Sequence, residues 1–162
     1  MPSKARNSNV VWWLLGGFVG LSGALYAVSR IVVAYRNGKP VGKITLSKVD
    51  GVPMEAETAR RFRLMKAAAK NAGITLKLTS GFRSMEEQER LYKELQDGKR
   101  STPVAKPGFS NHQNGIAIDI AVGNNPSSRE YLWLKANAAR WGFYNTGAKF
   151  STPEYWHWER TS

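Results

Sequence analysis

Cysteine is absent from this chain of 162 residues, which excludes a disulfide framework and a metal site built on thiolates. Histidine is scarce as well, because only His112 and His157 occur. Acidic residues number 12 against 24 lysines and arginines, and none lies within residues 1–49. Much of the net charge of +12 therefore flanks the N-terminal segment, where it favours attraction to anionic lipid. No nucleic-acid reader motif is evident, and we expect no nucleic-acid partner.

The N-terminal segment contains one long apolar run. Val10 to Val28 span 19 residues without a charge. As a helix this run would extend about 28 Å, close to the thickness of a hydrocarbon core. Because apolar residues resume after Arg30, the sequence predicts a tail at residues 1–9 and a transmembrane anchor at residues 10–35, in contact with the lipid bilayer. A cleaved signal peptide is the alternative, since small residues suited to a cleavage site lie near the end of the run.

The rest of the chain divides into a tether and one domain. Residues 36–54 are polar and rich in glycine and proline, and they are predicted to form a tether with one short strand at Lys43–Leu46. Residues 55–162 are long enough for a single compact domain. Periodicity and capping residues predict helices over 55–71, after the capping box Ser84–Glu87 and after the capping box Ser127–Glu130, and strands at 74–79, 115–121, 142–144 and 155–159. The pattern predicts an α+β fold with a small antiparallel sheet.

Each histidine has an acidic residue at a useful spacing. Asp119 lies seven residues after His112, and Glu154 lies three residues before His157. Two imidazoles and one carboxylate form a three-ligand zinc site with an open fourth position for water. The remaining carboxylate can take the proton from that water.

Three ordered motifs surround these residues. Ser110, His112, Gly115, Ala117 and Asp119 match S-x-H-x-x-G-x-A-x-D, Glu154, Trp156 and His157 match E-x-W-H, and residues 80–84 read SGFRS. Together they resemble the VanY-type D-alanyl-D-alanine carboxypeptidases, zinc peptidases of the superfamily that also contains lysostaphin-like enzymes and the hedgehog signalling domain. The resemblance extends over roughly residues 55–160.

The resemblance implies a role for each matching residue. It implies that His112, Asp119 and His157 bind one zinc ion, that Glu154 is the catalytic base, and that Arg83 stabilises the transition state. It also implies that the substrates are stem peptides of peptidoglycan. One departure affects the local backbone, because the proline that usually follows the glutamate is a tyrosine here.

Four further residues are predicted to contact the substrate or to support the ligands: Ser110, Glu159, Ser80 and Trp156. Glu159 is a rival for the role of base, and we assign it instead to holding an imidazole tautomer. Because Asp119 shares a strand face with Ala117 while isoleucines occupy the other face, the zinc site is predicted on the open face of the sheet, opposite the helices.

These features predict a membrane-anchored zinc metallopeptidase of cell-wall remodelling or phage entry and lysis. The scissile bond stays open between D-Ala-D-Ala carboxypeptidase and L-Ala-D-Glu endopeptidase chemistry. A non-catalytic zinc-containing domain that binds the cell wall or a partner is the alternative. A single-pass location with the catalytic domain on the cell-wall side is expected, in a bacterial inner membrane or a phage virion membrane. The five basic residues after the apolar run, against two before it, favour the opposite orientation.

Overall fold

The computed structural model describes residues 30–161, which form two antiparallel sheets and three α-helices. The N-terminal sheet has the order β1-β2-β3 and consists of β1 (Arg30–Arg36), β2 (Lys39–Val49) and β3 (Val52–Glu55). The second sheet has the order β4-β5-β7-β6 and consists of β4 (Leu78–Ser80), β5 (Ala117–Ile120), β6 (Phe143–Tyr144) and β7 (His157–Arg160). The helices are α1 (Ala56–Asn71), α2 (Met85–Gln96) and α3 (Arg129–Asn137), and three short 3-10 turns cover Asn111–Asn114, Ala138–Trp141 and Gly147–Lys149.

The N-terminal sheet corrects two predicted boundaries. Residues 30–35, expected to complete the membrane helix, form β1 instead, and the predicted tether is occupied by β2 and β3. Asn37 and Gly38 both have positive φ angles, of 52° and 76°, and join β1 to β2 through a tight turn. Asp50 and Gly51 join β2 to β3 in the same way. Asn-Gly and Asp-Gly pairs favour such hairpin turns, because both residues tolerate the left-handed backbone that the turn requires.

The remainder of the predicted anchor, residues 10–29, and the tail at residues 1–9 lie outside the described residues. Between residues 30 and 161, no helix is both long enough and apolar enough to cross a membrane.

Local capping signals determine where the helices begin. The Ser84 side chain accepts a hydrogen bond from the main-chain nitrogen of Glu87 at 3.1 Å, as the capping box before α2 predicts. Helix α3 begins one residue later than predicted, because Ser128 rather than Ser127 accepts the hydrogen bond from Tyr131 at 3.2 Å. In α1, which the periodicity predicted, one face is buried, namely Ala59, Phe62, Met65 and Ala69.

Strand β5 contributes one face to the core. All four residues of this strand are buried, and Ile118 and Ile120 have no exposed surface. These isoleucines join the main cluster of buried residues, which includes Phe62, Leu134 and Trp158. Asp119 is not part of this cluster and lines a cleft, where it is buried as well.

Candidate metal centre

The register of β5 and β7 brings one carboxylate side chain and one imidazole side chain together. Asp119 pairs directly with His157 across the two antiparallel strands, although 38 residues separate them in the chain. His112 approaches the same point from the 3-10 turn Asn111–Asn114. One ligand atom from each of these residues lies within 4.8 Å of the other two, and all three residues are buried. The geometry of this trio matches the ligand set expected from the sequence.

A glycine allows the His112 turn to lie against the rest of the domain. Gly115 ends the turn with a φ of 67°, and a Cβ atom there would come within 2.7 Å of the main-chain nitrogen of Glu55. That nitrogen donates a hydrogen bond to the carbonyl of Gly115 at 3.0 Å. At the start of the turn, the Ser110 side chain accepts a hydrogen bond from the main-chain nitrogen of His112 at 3.3 Å. Any side chain at position 115 would therefore displace His112.

Outer hydrogen bonds orient both imidazoles. His112 Nδ1 lies 2.6 Å from the carbonyl oxygen of Gly81, which leaves Nε2 directed at the site, 3.4 Å from Asp119 Oδ1. His157 has the opposite arrangement, with Nε2 at 2.9 Å from Glu159 Oε1 and Nδ1 at 3.1 Å from Asp119 Oδ1. Metal-binding histidines typically bond their outer nitrogen to a carbonyl or carboxylate in this way. The donor set therefore fits a zinc ion, which favours imidazole and carboxylate ligands.

Burial and hydrogen bonding shift the pKa values of the three residues. Burial raises the pKa of Asp119, but hydrogen bonds with His112 and His157 hold it well below its ordinary value, so the carboxylate is charged. Burial lowers the pKa of His112, which keeps that ring neutral. Burial also lowers the pKa of His157, yet hydrogen bonds with Asp119 and Glu159 raise it to about 9. Binding of a metal would displace the proton from His157, because a ligating imidazole nitrogen must be unprotonated.

Arg83 contacts the cluster through the remaining oxygen of Asp119. Its Nη2 lies 3.2 Å from Asp119 Oδ2 and 3.3 Å from Ser80 Oγ. Its main-chain nitrogen donates to the carbonyl of His112 at 3.2 Å. This bond connects the turn between β4 and α2 to the 3-10 turn Asn111–Asn114, which we call the ligand turn. Burial is the main reason that the pKa of Arg83 is lowered, and the charge of Asp119 opposes this shift. Arg83 thus orients a ligand as well as lining the cleft.

Glu154 is positioned by its main chain. Its nitrogen donates to the carbonyl of Gly147 at 2.9 Å, and its own carbonyl accepts from the nitrogen of His157 at 3.1 Å. A tight turn from Glu154 to His157 results, with Tyr155 at the position where the family pattern has proline. Burial raises the pKa of the Glu154 carboxyl, and this effect is larger than the lowering by His157. A carboxyl group with a raised pKa is suited to accepting and returning a proton near neutral pH.

The cluster opens into a cleft of about 590 Å³. Glu154, Arg83, Ser110, Trp156 and Glu159 line it, so most of the predicted site residues share one space. Ser80 is set back from the cleft, where its hydroxyl contacts Arg83.

Two supporting residues carry no signal in the sequence. Asn145 donates a hydrogen bond from its side chain to the carbonyl of His157 at 2.7 Å, and the same nitrogen lies 3.4 Å from the carbonyls of Glu154 and Tyr155. Gly147 packs so closely that a Cβ atom there would lie 2.4 Å from the Glu154 carbonyl oxygen. An isolated asparagine and an isolated glycine in a loop form no pattern that sequence reasoning could have found.

Two histidines and one aspartate form a donor set of the kind that binds a single metal ion. Residues 51–160 match the family model of VanY, D-alanyl-D-alanine carboxypeptidase. The chain belongs to this family, which confirms the resemblance read from its motifs.

Curated relatives include both peptidase types. The chain is 43% identical over 65 residues to the peptidoglycan L-alanyl-D-glutamate endopeptidase CwlK of Bacillus subtilis (strain 168), a match over 40% of this chain and 39% of the relative. It is 30% identical over 93 residues to a D-alanyl-D-alanine carboxypeptidase of Enterococcus faecium, over 56% of this chain and 29% of the relative. The chain therefore spans well under half the length of these two relatives.

A solved structure shares the fold. The D,D-pentapeptidase VanY from a VanB-type vancomycin resistance cassette, solved in complex with Zn(II), superposes with a TM-score of 0.62 at 22% identity. The superposition covers 80% of this chain and 87% of that protein. The similarity supports the mixed α and β architecture with small antiparallel sheets.

Proposed function

We propose that this chain is a zinc-dependent peptidase that hydrolyses stem peptides of peptidoglycan. The observation that carries the proposal is the convergence of His112, Asp119 and His157 beside Glu154 in one cleft. The names of the relatives support the substrate class, since one acts on an L-alanyl-D-glutamate bond and another is a D-alanyl-D-alanine carboxypeptidase. Both bond types remain within the proposal.

The ligand atoms follow from the outer hydrogen bonds. His112 Nε2, an oxygen of Asp119 and His157 Nδ1 would hold the ion, because the other ring nitrogens face Gly81 and Glu159. Zinc would supply a Lewis acid that activates water and polarises the scissile carbonyl. The protein contributes burial and fixed ring orientations, so the ligands need little rearrangement.

Glu154 is assigned the proton transfers. It accepts a proton from the attacking water and later delivers that proton to the nitrogen of the leaving amine, which balances the hydrolysis. Burial raises the pKa of this carboxyl group, which makes it a better proton acceptor.

Arg83 is assigned to the negative charge that develops on the carbonyl oxygen. A guanidinium has five N–H donors, and the contacts with Asp119 and Ser80 involve only Nη2. The other donors are available for the oxyanion, where positioned hydrogen bonds stabilise the transition state. A non-catalytic binding domain would need neither Glu154 nor Arg83 in the cleft, and their presence there favours catalysis.

Digestion of purified muropeptides tests this function. The full chain should release products whose masses identify the cleaved bond, and a chelator should stop the reaction until zinc is restored. Intact muropeptides after prolonged incubation with the zinc-loaded chain would contradict the proposal.

We also propose that the uncharged run at residues 10–28 anchors the protein, with the domain on the cell-wall side. The support is the length of this run together with a substrate that lies outside the bacterial inner membrane. Carbonate extraction should leave the chain in the membrane fraction, and added protease should digest the domain in spheroplasts. A soluble, shortened chain would instead favour a cleaved signal peptide.

A further inference from the structure

A second arginine faces the cleft and belongs to none of the three motifs. Arg100 follows α2 in the connection to the ligand turn, and it lines the same cleft as Arg83 and Glu154. Its side chain is half-buried.

One N–H group of Arg100 has no acceptor among the residues that the structure describes, whereas Arg83 and Arg160 form ion pairs. The Nε of Arg100 is buried and has no hydrogen-bond partner within residues 30–161. By contrast, Arg83 pairs with Asp119, and Arg160 pairs with Glu55 at 3.1 Å. A buried N–H without an acceptor is unfavourable, because the group has lost its hydrogen bonds to water. Arg100 therefore lines the cleft with a charged group whose buried Nε–H has no acceptor in the described part of the chain.

The part of the cleft wall that follows Arg100 is fixed to the domain by two buried side chains. The side chain of Gln88 on α2 donates to the carbonyl of Ala105 at 2.8 Å. Further along, the side chain of Gln113 accepts from the nitrogen of Gly108 at 2.7 Å. Both glutamines are fully buried. These two hydrogen bonds hold residues 105–108 of the wall to α2 and to the ligand turn.

Arg83 and Arg100 line the same cleft, and both are partly buried. Two positive charges repel each other more strongly where burial reduces solvent screening. An anionic group of the substrate would reduce the repulsion between the two guanidiniums and supply an acceptor for Arg100.

We propose that Arg100 binds the free α-carboxylate of the amino acid that leaves as the amine, and so determines which peptides are cut. This inference rests on the proposed peptidase function. A terminal D-alanine carries such a carboxylate one carbon from the scissile nitrogen. A D-glutamate that continues the stem through its γ-carboxyl carries one at the same place. The shared chemistry accounts for recognition of either bond type, while Arg83 stays engaged with Asp119.

Ligand binding can be measured without turnover. The zinc-loaded full chain carrying Glu154→Gln is titrated calorimetrically with D-Ala-D-Ala and with its C-terminal amide. A second pair is L-Ala-D-Glu and its α-carboxamide, both blocked at the γ-carboxyl as methylamides. At least one pair should bind about 10- to 100-fold more tightly as the carboxylate, and that pair identifies the source of the carboxylate.

The preference should depend on Arg100 alone. Adding Arg100→Gln should reduce it to about threefold or less, and Arg100→Lys should retain part of it because the charge remains. Arg140→Gln, which removes the same charge from an exposed site outside the cleft, should leave the preference intact. Circular dichroism checks that each variant is folded. If Arg100→Gln does not fold, Arg100→Lys provides the test.

Equal binding of acid and amide in both pairs would overturn the inference, as would a preference that survives loss of Arg100. Failure of the peptidase function has a different signature. In that case the unaltered chain leaves muropeptides intact, while the carboxylate preference and its dependence on Arg100 persist.

Discussion

The two sheets of this domain differ in how deeply they bury their residues. Strand β5 has four residues and all are buried, whereas β2 has 11 residues of which only Leu46 and Val49 are buried. Since hydrophobic stabilisation follows the apolar area removed from water, the shorter strand contributes more per residue. The candidate metal centre lies on the buried sheet, where packing fixes the positions of rings and carboxylates best.

The N-terminal sheet contacts the ligand turn from outside. The nitrogen of Gly38 in the β1–β2 turn donates to the carbonyl of Gly108 at 3.0 Å, two residues before Ser110. Changes in this sheet should therefore affect stability more than chemistry, and changes in the second sheet should affect both. The following variants test that difference.

Glu154→Gln should have the largest effect. Removing the proton acceptor is expected to lower turnover of muropeptides by about 10²- to 10⁴-fold. Zinc content, measured on the same samples, should not change, because Glu154 is outside the ligand trio. Glu89→Gln, at an exposed position on α2, is the matched control and should keep full activity. Near-normal turnover in Glu154→Gln would show that another group is the base.

Ile118→Ala and Ile31→Ala compare the two sheets directly. Ile118 is fully buried, so the shortened side chain should lower the free energy of unfolding by about 2–5 kcal/mol. Ile31 on β1 is 65% exposed, and the same change should cost less than about 0.5 kcal/mol. Denaturant unfolding measures both. Equal losses would contradict the account of where the core lies.

Glu159→Ala should weaken metal binding without removing a ligand. The carboxylate accepts from His157 Nε2 at 2.9 Å, and its loss should lower zinc affinity by about 10- to 100-fold. Competition with a chromophoric chelator gives the affinity. Glu159→Gln keeps an acceptor oxygen and should lose less. An unchanged affinity in the alanine variant would remove Glu159 from the support of His157.

Gly38→Ala should affect stability alone and leave turnover and zinc affinity unchanged. The position has a φ of 76°, and a Cβ atom would lie 3.0 Å from the ring of Phe109. The expected cost is about 1–2 kcal/mol. Gly98 has a similar φ of 69° but open space around it, so Gly98→Ala isolates the backbone cost from the contact. A loss of zinc affinity in Gly38→Ala would mean that the N-terminal sheet controls the ligand turn.

Local sequence patterns were sufficient to predict the helices α1 and α2. The capping box at Ser84 and the apolar periodicity of α1 are short-range features, and both were confirmed. The turns at Asn37-Gly38 and Asp50-Gly51 are equally local, and reading them would have replaced the tether with strands. The predicted strand at Lys43–Leu46 lies within β2, but the rest of β2 and all of β3 were missed because glycine and proline were interpreted as signs of a tether.

The arrangement of the site depends on contacts between residues that are distant in the sequence. The motifs named the ligand trio, yet only the strand register brings Asp119 opposite His157. The contacts of Asn145 with the Glu154 turn depend on how a loop folds back on β7, and no periodicity encodes that. The buried Nε–H of Arg100, which has no acceptor between residues 30 and 161, likewise becomes visible only when the chain is folded.

X-ray absorption of the zinc-loaded full chain tests the central claim most directly. We expect one zinc ion per chain, with two imidazole nitrogens at ~2.0 Å and oxygen ligands at ~2.0–2.2 Å. His112→Ala should remove one imidazole from the spectrum or abolish binding. A chain that binds no zinc, or a spectrum without two imidazoles, would contradict the assignment of His112, Asp119 and His157 as a single metal site.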